Sequence, residues 1–151
     1  MVETDIRLAL GRQSFRPVYQ AATRQRRLPR TQGKSRLLED FDLIDGQDNL
    51  GQALVIRLLT PRGELSALGH PQYGSRLHEL IGAVNTETTR NLVKLYILEA
   101  VARESRVAEV LNLRVSPHPY NKSAVNVDME VRPAGEQAGL VIGPLILRLE
   151  S

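Results

Sequence analysis

The sequence predicts an α+β fold: helices followed by a three-stranded antiparallel β-meander, with an extended N-terminal arm. Two observations predict the domain. Apolar residues recur with a helical period between Leu92 and Val101, and after Arg106 the period falls from 3.6 residues to 2. A third predicts the arm, because residues 1–37 carry few large apolar side chains but nine basic residues against two acidic ones. We therefore divide the chain into a basic arm, 1–37, and a single domain, 38–151.

The composition excludes several classes of protein. Of the 151 residues, 42% are hydrophobic and 25% are charged, as is typical of a globular chain. No apolar run approaches the roughly 20 residues of a membrane span, and Asp5, Arg7 and Arg12 interrupt the early stretch that a secretion signal would need. The chain has no cysteine, which excludes disulfide and thiolate chemistry. We expect a protein that is made and assembled in a reducing cytoplasm, without membrane insertion.

The arm and the domain differ in charge. Residues 1–37 have a net charge of +7, and residues 38–151 have a net charge of −4. Apart from a helical turn at 6–10, the arm lacks the apolar side chains that would offset its ordering entropy, so we expect it to be flexible until bound. A solvated tail without a role is the simpler alternative. Clustered arginines also suit nucleic acid, but the arm lacks an aromatic-interleaved basic pattern, so acidic protein partners are favoured.

The first part of the domain leaves one segment ambiguous. Residues 38–49 alternate acidic and apolar side chains and predict an edge segment, because the ligand spacing of a calcium loop is absent. The β-branched residues of segment 50–59 favour a strand. Leu50, Leu54 and Leu58, however, recur at i+4 and slightly favour a helix.

Two further helices follow. A short one spans 75–81, with Leu77, Leu80 and Ile81 facing inward, and ends at Gly82. A longer one is capped by Asn85 or Thr86. The longer helix has an inward stripe at i, i+4, i+7 and i+8, which consists of Val93, Ile97, Ala100 and Val101. Further apolar residues widen this face: Leu92, Leu95, Tyr96 and Leu98. We expect a helix this apolar to be covered on more than one side.

Three strands complete the domain. The first has one set of alternating residues, Val107, Glu109, Leu111, Leu113 and Val115, and it ends before the prolines at 117 and 119. The second is the clearest half-buried strand, with Val125, Val127, Met129 and Val131 on one face. The third starts near residue 145 and has Leu145, Leu147 and Leu149 on one face. Pro144 restricts the preceding stretch to a strand start, a bulge or an edge.

The segment 60–77 is rich in residues that fix backbone geometry. Pro61 and Gly63 predict one turn, and Pro71 and Gly74 predict a second. We expect the helices and strands to pack around the short stretch between these turns.

Four short motifs resemble the sheath-initiator family of contractile-tail baseplates. They are Thr60-Pro61-Arg62-Gly63-Glu64, Pro71-Gln72-Tyr73-Gly74-Ser75-Arg76-Leu77, Asn85-Thr86 and Glu104-Ser105-Arg106-Val107. The family includes the wedge protein of contractile phages, a type VI secretion baseplate component and their extracellular relatives. The match covers residues 50–131. It departs from the family at Ser105, where the family's Glu-Pro-Arg motif has a proline.

The resemblance implies a structural baseplate component that links the wedge to the first sheath ring and nucleates the sheath by accepting strands onto its sheet. Glu104 and Arg106 would dock on the helical core bundle of the wedge proteins, whereas the residues alone favour an internal ion pair at a corner of the fold. The sheath-facing sheet would contain Val125, Val127, Met129, Val131, Leu145, Leu147 and Leu149. The structural motif would contain Gly63, Glu64, Pro71, Tyr73, Gly74 and Ser75. Tube or hub proteins are further expected partners, and the baseplate is expected to hold several copies, six by this resemblance.

No set of residues predicts catalysis, a cofactor or a metal site. The carboxylates available to a glycosidase are each explained as turn, helix-surface or ion-pair residues: Glu64, Glu79, Glu104 and Glu109. The histidines lack the spacing of zinc ligands: His70, His78 and His118. No glycine loop suited to phosphate is present. We expect a non-enzyme. The alternative to the baseplate role is a nucleic-acid or acidic-protein binding module that acts through the arm.

Overall fold

The computed structural model describes residues 4–6, 8–10, 19–21, 23–27, 37–41 and 43–149. Six short strands come first: β1 (Thr4–Ile6), β2 (Leu8–Leu10), β3 (Tyr19–Ala21), β4 (Thr23–Arg27), β5 (Leu37–Phe41) and β6 (Leu43–Asp45). The helices are α1 (Gly46–Leu59) and α2 (Glu87–Val101), with 3-10 helices at Ser66–Leu68 and Leu77–Leu80 between them. The long strands β7 (Val107–Pro117), β8 (Ala124–Pro133) and β9 (Leu140–Arg148) follow. The predicted fold class, helices before a three-stranded antiparallel sheet, is confirmed.

The six N-terminal strands form three antiparallel pairs. β1 pairs with β6, β2 with β3, and β4 with β5. The predicted helical turn at 6–10 is wrong, because β2 lies there with Ala9 opposite Gln20. A single helical turn is costly to nucleate, whereas a strand obtains hydrogen-bond partners from its neighbour. That the arm becomes ordered only on binding stays a prediction.

Helix α1 resolves the ambiguous segment. Residues 50–59 are helical, so the i+4 spacing of the leucines outweighed the β propensity of their neighbours. Leu50, Leu54 and Leu58 are all buried, as that spacing requires. The helix begins at Gly46, earlier than predicted, and the extended part of segment 38–49 therefore ends with β6.

Helix α2 starts and packs as predicted. Thr86 is its N-cap, and its hydroxyl accepts a hydrogen bond from the backbone N–H of Thr89 at 3.2 Å. The predicted inward stripe is fully buried: Val93, Ile97, Ala100 and Val101. The wider apolar face is only partly covered, because Tyr96 is buried while Leu95 and Leu98 are exposed. In the short segment before α2 the 3-10 helix buries Leu77 and Leu80, but Ile81, which was expected to face inward, is exposed.

The sheet has β8 in its middle and packs one face against the helices. The order is β7-β8-β9, and both pairings are antiparallel. Register shifts within β7 change which residues face inward, so Val110 packs against the core while Glu109 and Leu111 are exposed. The five residues of β7 that were predicted to form one alternating set therefore do not share one face, because a strict period of 2 cannot include a bulge.

Strand β9 is longer than predicted and irregular. It begins at Leu140 instead of near residue 145. Gly143 and Pro144 lie at a register shift between the pairs Val127–Leu145 and Met129–Ile142. Pro144 is thus at a bulge on an edge strand, two of the positions to which proline was restricted. No helix in the described part of the chain is long and apolar enough to cross a membrane.

Candidate docking site at the helix-to-strand corner

Glu104 lies at the corner where α2 gives way to β7. Its backbone N–H donates to the carbonyl of Val101 at 2.9 Å, and its carbonyl accepts from the N–H of Val107 at 3.0 Å. The residue is only 7% exposed. Its side chain is therefore held inside the corner and points away from solvent.

The Glu104 carboxylate joins two arginines. Oε1 accepts from Nε of Arg106 at 2.8 Å, and Oε2 accepts from Nη2 of Arg57 at 3.1 Å. Burial raises the pKa of Glu104, but the hydrogen bond from Arg106 and the charges of both arginines together outweigh it, so the pKa is lowered. The carboxylate is thus ionised at neutral pH.

These arginines extend the cluster to α1 and to the turn-rich segment. Nη1 of Arg106 donates to Oδ1 of Asn49 at 3.3 Å. The guanidinium of Arg57 lies 4.6 Å from the centre of the Tyr73 ring, a cation–π distance. Burial raises the pKa of the Tyr73 phenol. Three parts of the chain, α1, the segment 60–77 and the corner, therefore meet at Glu104.

The two predicted turns of segment 60–77 are joined by backbone hydrogen bonds. The N–H of Arg62 donates to the carbonyl of Ser75 at 2.8 Å, and the N–H of Ser75 donates to the carbonyl of Thr60 at 2.8 Å. Ser75 Oγ also donates to the carbonyl of Leu58 at 2.5 Å. A Cβ on Gly74, whose φ is +101°, would lie 2.5 Å from the Thr60 carbonyl oxygen, so the close approach requires glycine.

The other motif residues differ in burial and contacts. Gly63 has a φ of 89° in the first turn, and Glu64 and Pro71 are exposed. Tyr73 is partly buried beside Arg57. The motif thus contains residues that fix the turns, Gly63, Gly74 and Ser75, and residues that remain open to a partner, Glu64 and Pro71.

A second ionic cluster lies further along α2. Glu99 accepts from Nη1 of Arg62 at 2.9 Å and from Nη2 of Arg103 at 3.4 Å. Arg76 pairs with Glu79 at 2.9 Å, and its guanidinium lies 4.4 Å from the centre of the Tyr96 ring. Hydrogen bonds from the arginines lower the pKa of both carboxyls.

The spacing of Glu104 and Arg106 predicted that they lie together, whereas no sequence pattern predicted the contributions of Asn49, Arg57 and Glu99. Arg57 and Asn49 are 47 and 57 residues away from their partners in the chain, so no local spacing connects them. One signal was available. Arg57 stands within the apolar run Ala53–Leu59, and an arginine that is buried by its neighbours needs a carboxylate.

The seven residues predicted for the sheath-facing sheet do belong to the sheet or follow it directly. Their side chains, however, pack into the core rather than facing outward: Val125, Val127, Met129, Val131, Leu145, Leu147 and Leu149. Any surface that the sheet offers to another chain must therefore consist of its backbone edges and its opposite face.

Three of the four candidate carboxylates of a glycosidase are paired with arginines. Glu79 pairs with Arg76, Glu104 with Arg57 and Arg106, and Glu109 with Arg132. Among the described residues, no group of three or more His, Cys, Asp or Glu side chains could hold a metal ion.

The model of the contractile injection system sheath initiator family matches residues 25–133. The chain belongs to the sheath-initiator family. Membership gives this sheath initiator a structural role in the baseplate or tail of a contractile injection system.

A solved structure supports the same relationship. The chain resembles a crystal structure from Geobacter sulfurreducens described as a "putative tail lysozyme", with 26% sequence identity and a TM-score of 0.52. The similarity covers 64% of this chain and 86% of that one. No curated protein matches this chain in sequence.

Proposed function

We propose that this protein links the baseplate wedge to the first sheath ring and starts sheath growth by accepting a strand onto the open edge of β9. The observation that carries the proposal is the outward backbone of this strand, which bears exposed apolar side chains. The wedge proteins and the sheath subunits are its partners in this role.

The direction of the backbone groups on β9 follows from the hydrogen bonds beside it. The N–H of Leu149 donates to the carbonyl of Ser123 at 2.7 Å, so the backbone N–H of Leu149 points towards β8. In an antiparallel strand, the N–H and C=O of one residue point towards one neighbouring strand, and those of the next residue point to the opposite side. The backbone groups of Leu147 and Leu145 therefore point towards β8 as well, and the N–H and C=O of Ile146 point to the open edge.

The side chains of β9 make this edge attractive to another strand. Val141 is 70% exposed and Ile146 is 39% exposed. Exposed β-branched residues on an edge favour pairing with a further strand, and the added backbone hydrogen bonds supply affinity. The edge offers two short stretches, 140–142 and 145–148, on either side of the bulge at Gly143 and Pro144.

The opposite edge, β7, is less suited to pairing. Its exposed positions include the charged residues Glu109 and Arg114, and Glu109 pairs with Arg132 of β8. Charged side chains and bulges are the devices by which edge strands avoid pairing. β7 has two register shifts in its first half, whereas β9 has one, at Gly143 and Pro144. The charged side chains and the additional register shift therefore distinguish β7 from β9.

A pair of substitutions at Ile146 tests the strand-accepting role. Ile146→Pro removes the outward N–H and the side chain, whereas Ile146→Ala removes the side chain and keeps the N–H. Both are introduced into the native injection system, and only variants that melt like the wild type are compared. We expect the proline variant to give baseplates with a tube but without an extended sheath, and the alanine variant to retain sheath. Val141→Pro and Val141→Ala repeat the comparison at the other stretch.

Full-length sheath in every stable proline variant would refute the strand-accepting role. The protein would then be a wedge component alone.

We further propose that the corner helps to dock the protein on the wedge. Glu104 is used internally, but the Arg106 side chain remains 31% exposed and so can contact a partner. Loss of one member of an interfacial charge pair costs about 2 to 5 kcal/mol of binding. Arg106→Ala should therefore lower the free energy of binding to the wedge by more than it lowers the free energy of unfolding. Normal binding by the folded fraction of a variant that melts far below wild type would instead make Arg106 a folding residue.

We propose that the protein is not an enzyme. A glycosidase needs one carboxyl with a raised pKa as its general acid. The pKa values of Glu79, Glu99 and Glu104 are all lowered, by arginine partners. The purified protein should not cleave peptidoglycan, and cleavage that disappears in Glu64→Gln or Glu104→Gln would contradict this assignment.

A further inference from the structure

One face of α2 is left uncovered and carries leucines. The exposed positions after Glu87 are Thr88, Asn91, Leu95 and Leu98 in the helix and Ala102 at its C-cap. They are separated by three, four, three and four residues, the spacing of successive a and d positions in a heptad. We call these five residues the α2 seam.

The composition of the seam differs along the helix. Any single helix face repeats with this spacing, so the informative observation is that two successive positions are leucines. Leu95 is 55% exposed and Leu98 is 42% exposed. Exposed leucines that lie side by side on a surface mark interaction sites more often than leucines that stand alone. At the N-terminal end the seam is polar, with Thr88 and Asn91, and a polar residue at such a position fixes the register of a partner helix.

Basic residues flank the apolar half of the seam. Lys94 lies on one side. On the other side, the second ionic cluster contains three arginines and two glutamates, so the two flanks together have a net charge of +2, in a domain whose net charge is −4. The arginines of this flank are Arg62, Arg76 and Arg103, and its glutamates are Glu79 and Glu99.

We propose that the α2 seam binds an α-helix of another protein, with apolar residues at heptad spacing facing Leu95 and Leu98 and with acidic residues on its flanks. A helix suits the straight stripe because its own a and d residues interlock with it. Acidic flanks suit the basic residues on both sides of the leucines. The seam is separate from the β9 edge, and the proposal rests on membership of the family and not on strand acceptance.

Photo-crosslinking in the native injection system tests the partner and its chemistry. Benzoylphenylalanine is placed at Leu95 or Leu98 of the full chain, and at Val84 as a control. Val84 is 76% exposed and precedes α2 outside the seam. After irradiation of assembled particles, mass spectrometry identifies the segment of the partner that is joined to each position.

We expect both seam positions to crosslink one segment of a different protein, with leucine-like residues at heptad spacing and more acidic than basic flanking residues. Val84 should not crosslink this segment. Crosslinks to a second copy of this chain, crosslinks to a segment without these features, or no crosslink at the seam in particles that do assemble would each overturn the proposal.

A set of charge variants provides a second readout. The double variant Leu95→Glu and Leu98→Glu should reduce the yield of assembled baseplates at least tenfold, whereas Val84→Glu should leave it unchanged. Lys94→Glu should reduce the yield by a smaller factor, because the new carboxylate repels the acidic flanks of the partner helix. This reduction should be larger at low salt, where charges are screened less. Equal yields from the double variant and from Val84→Glu would refute the seam. The readout is baseplate yield and not sheath length, so failure here is distinct from failure of strand acceptance.

Discussion

At the residue scale, Glu104 holds three segments of the chain together. Glu104→Ala would leave Arg57 and Arg106 without their common carboxylate, and breaking a buried charge pair from one side costs about 3 kcal/mol. Glu109→Ala is the matched control, because its pair with Arg132 is exposed and contributes at most about 1 kcal/mol. Urea unfolding of both variants measures the difference. Similar losses in the two variants would contradict the central position of Glu104.

The same carboxylate predicts how stability depends on pH. The pKa of Glu104 is lower in the folded chain than its ordinary value of 4.5. Its contribution to the free energy of unfolding is therefore complete above about pH 4.5 and is lost as the pH falls through the folded-state pKa. Glu104→Gln should flatten the acid side of the stability profile. Glu79 and Glu99 retain their own dependence, because their pKa values are lowered too.

A substitution at Gly74 tests how closely the two turns of segment 60–77 pack against each other. Gly74→Ala would place a Cβ 2.5 Å from the Thr60 carbonyl oxygen and 2.9 Å from the Pro61 carbonyl. Gly69 is the control, because its φ of +84° is similar but a Cβ added there would meet no atom within 4 Å. Gly69→Ala should cost about 1 to 2 kcal/mol for the left-handed backbone. Gly74→Ala should cost about 1 to 3 kcal/mol more, through overpacking. Equal costs in thermal or urea unfolding would mean that the two turns are not closely packed.

At the scale of elements, the sequence allowed the helices and strands to be predicted wherever a single period ran without interruption. The stripe of α2 and the alternation of β8 are examples, because each buries one face over at least ten residues. The single alternating set predicted for β7 and the predicted start of β9 were wrong, since bulges shift the register within both strands. A bulge depends on what the partner strand offers and leaves little trace in a periodic pattern.

The candidate site was predictable only in part for a related reason. Glu104 and Arg106 are two residues apart, so their pairing could be proposed from the sequence. The contributions of Asn49 and Arg57 depend on α1 packing beside the corner, which no spacing reveals. The exposure of Leu95 and Leu98 likewise followed only from the structure, because the sequence shows how apolar a helix is but not how many neighbours cover it.

At the scale of the whole molecule, we predict that the arm and the domain make separate contributions. The described core residues run from Leu50 to Leu149. Because residues 1–37 contain few large apolar side chains, we predict that their deletion leaves a folded domain. This domain should assemble poorly into baseplates, because the +7 charge of the arm is lost to its partners. Thermal melting and particle yield measure the two effects. Full assembly of the deletion variant into functional particles would remove the case for an essential arm.

Limited proteolysis examines the order of the arm directly. The composition of residues 1–37 predicts rapid tryptic cleavage in the free protein and protection in the assembled particle. The pairing of β4 with β5 predicts that cleavage within Thr23–Arg27 is slower than elsewhere in the arm. Resistance of the whole arm in the free protein would show that it needs no partner to become ordered.

Electron cryomicroscopy of the assembled particle tests most directly whether a sheath strand pairs with the β9 edge. We expect this chain to lie between the wedge and the first sheath ring, with a strand of a sheath subunit hydrogen-bonded to the outward N–H and C=O of Ile146. A first sheath ring that contacts the chain only elsewhere, with the β9 edge open or covered by a protein other than sheath, would contradict it.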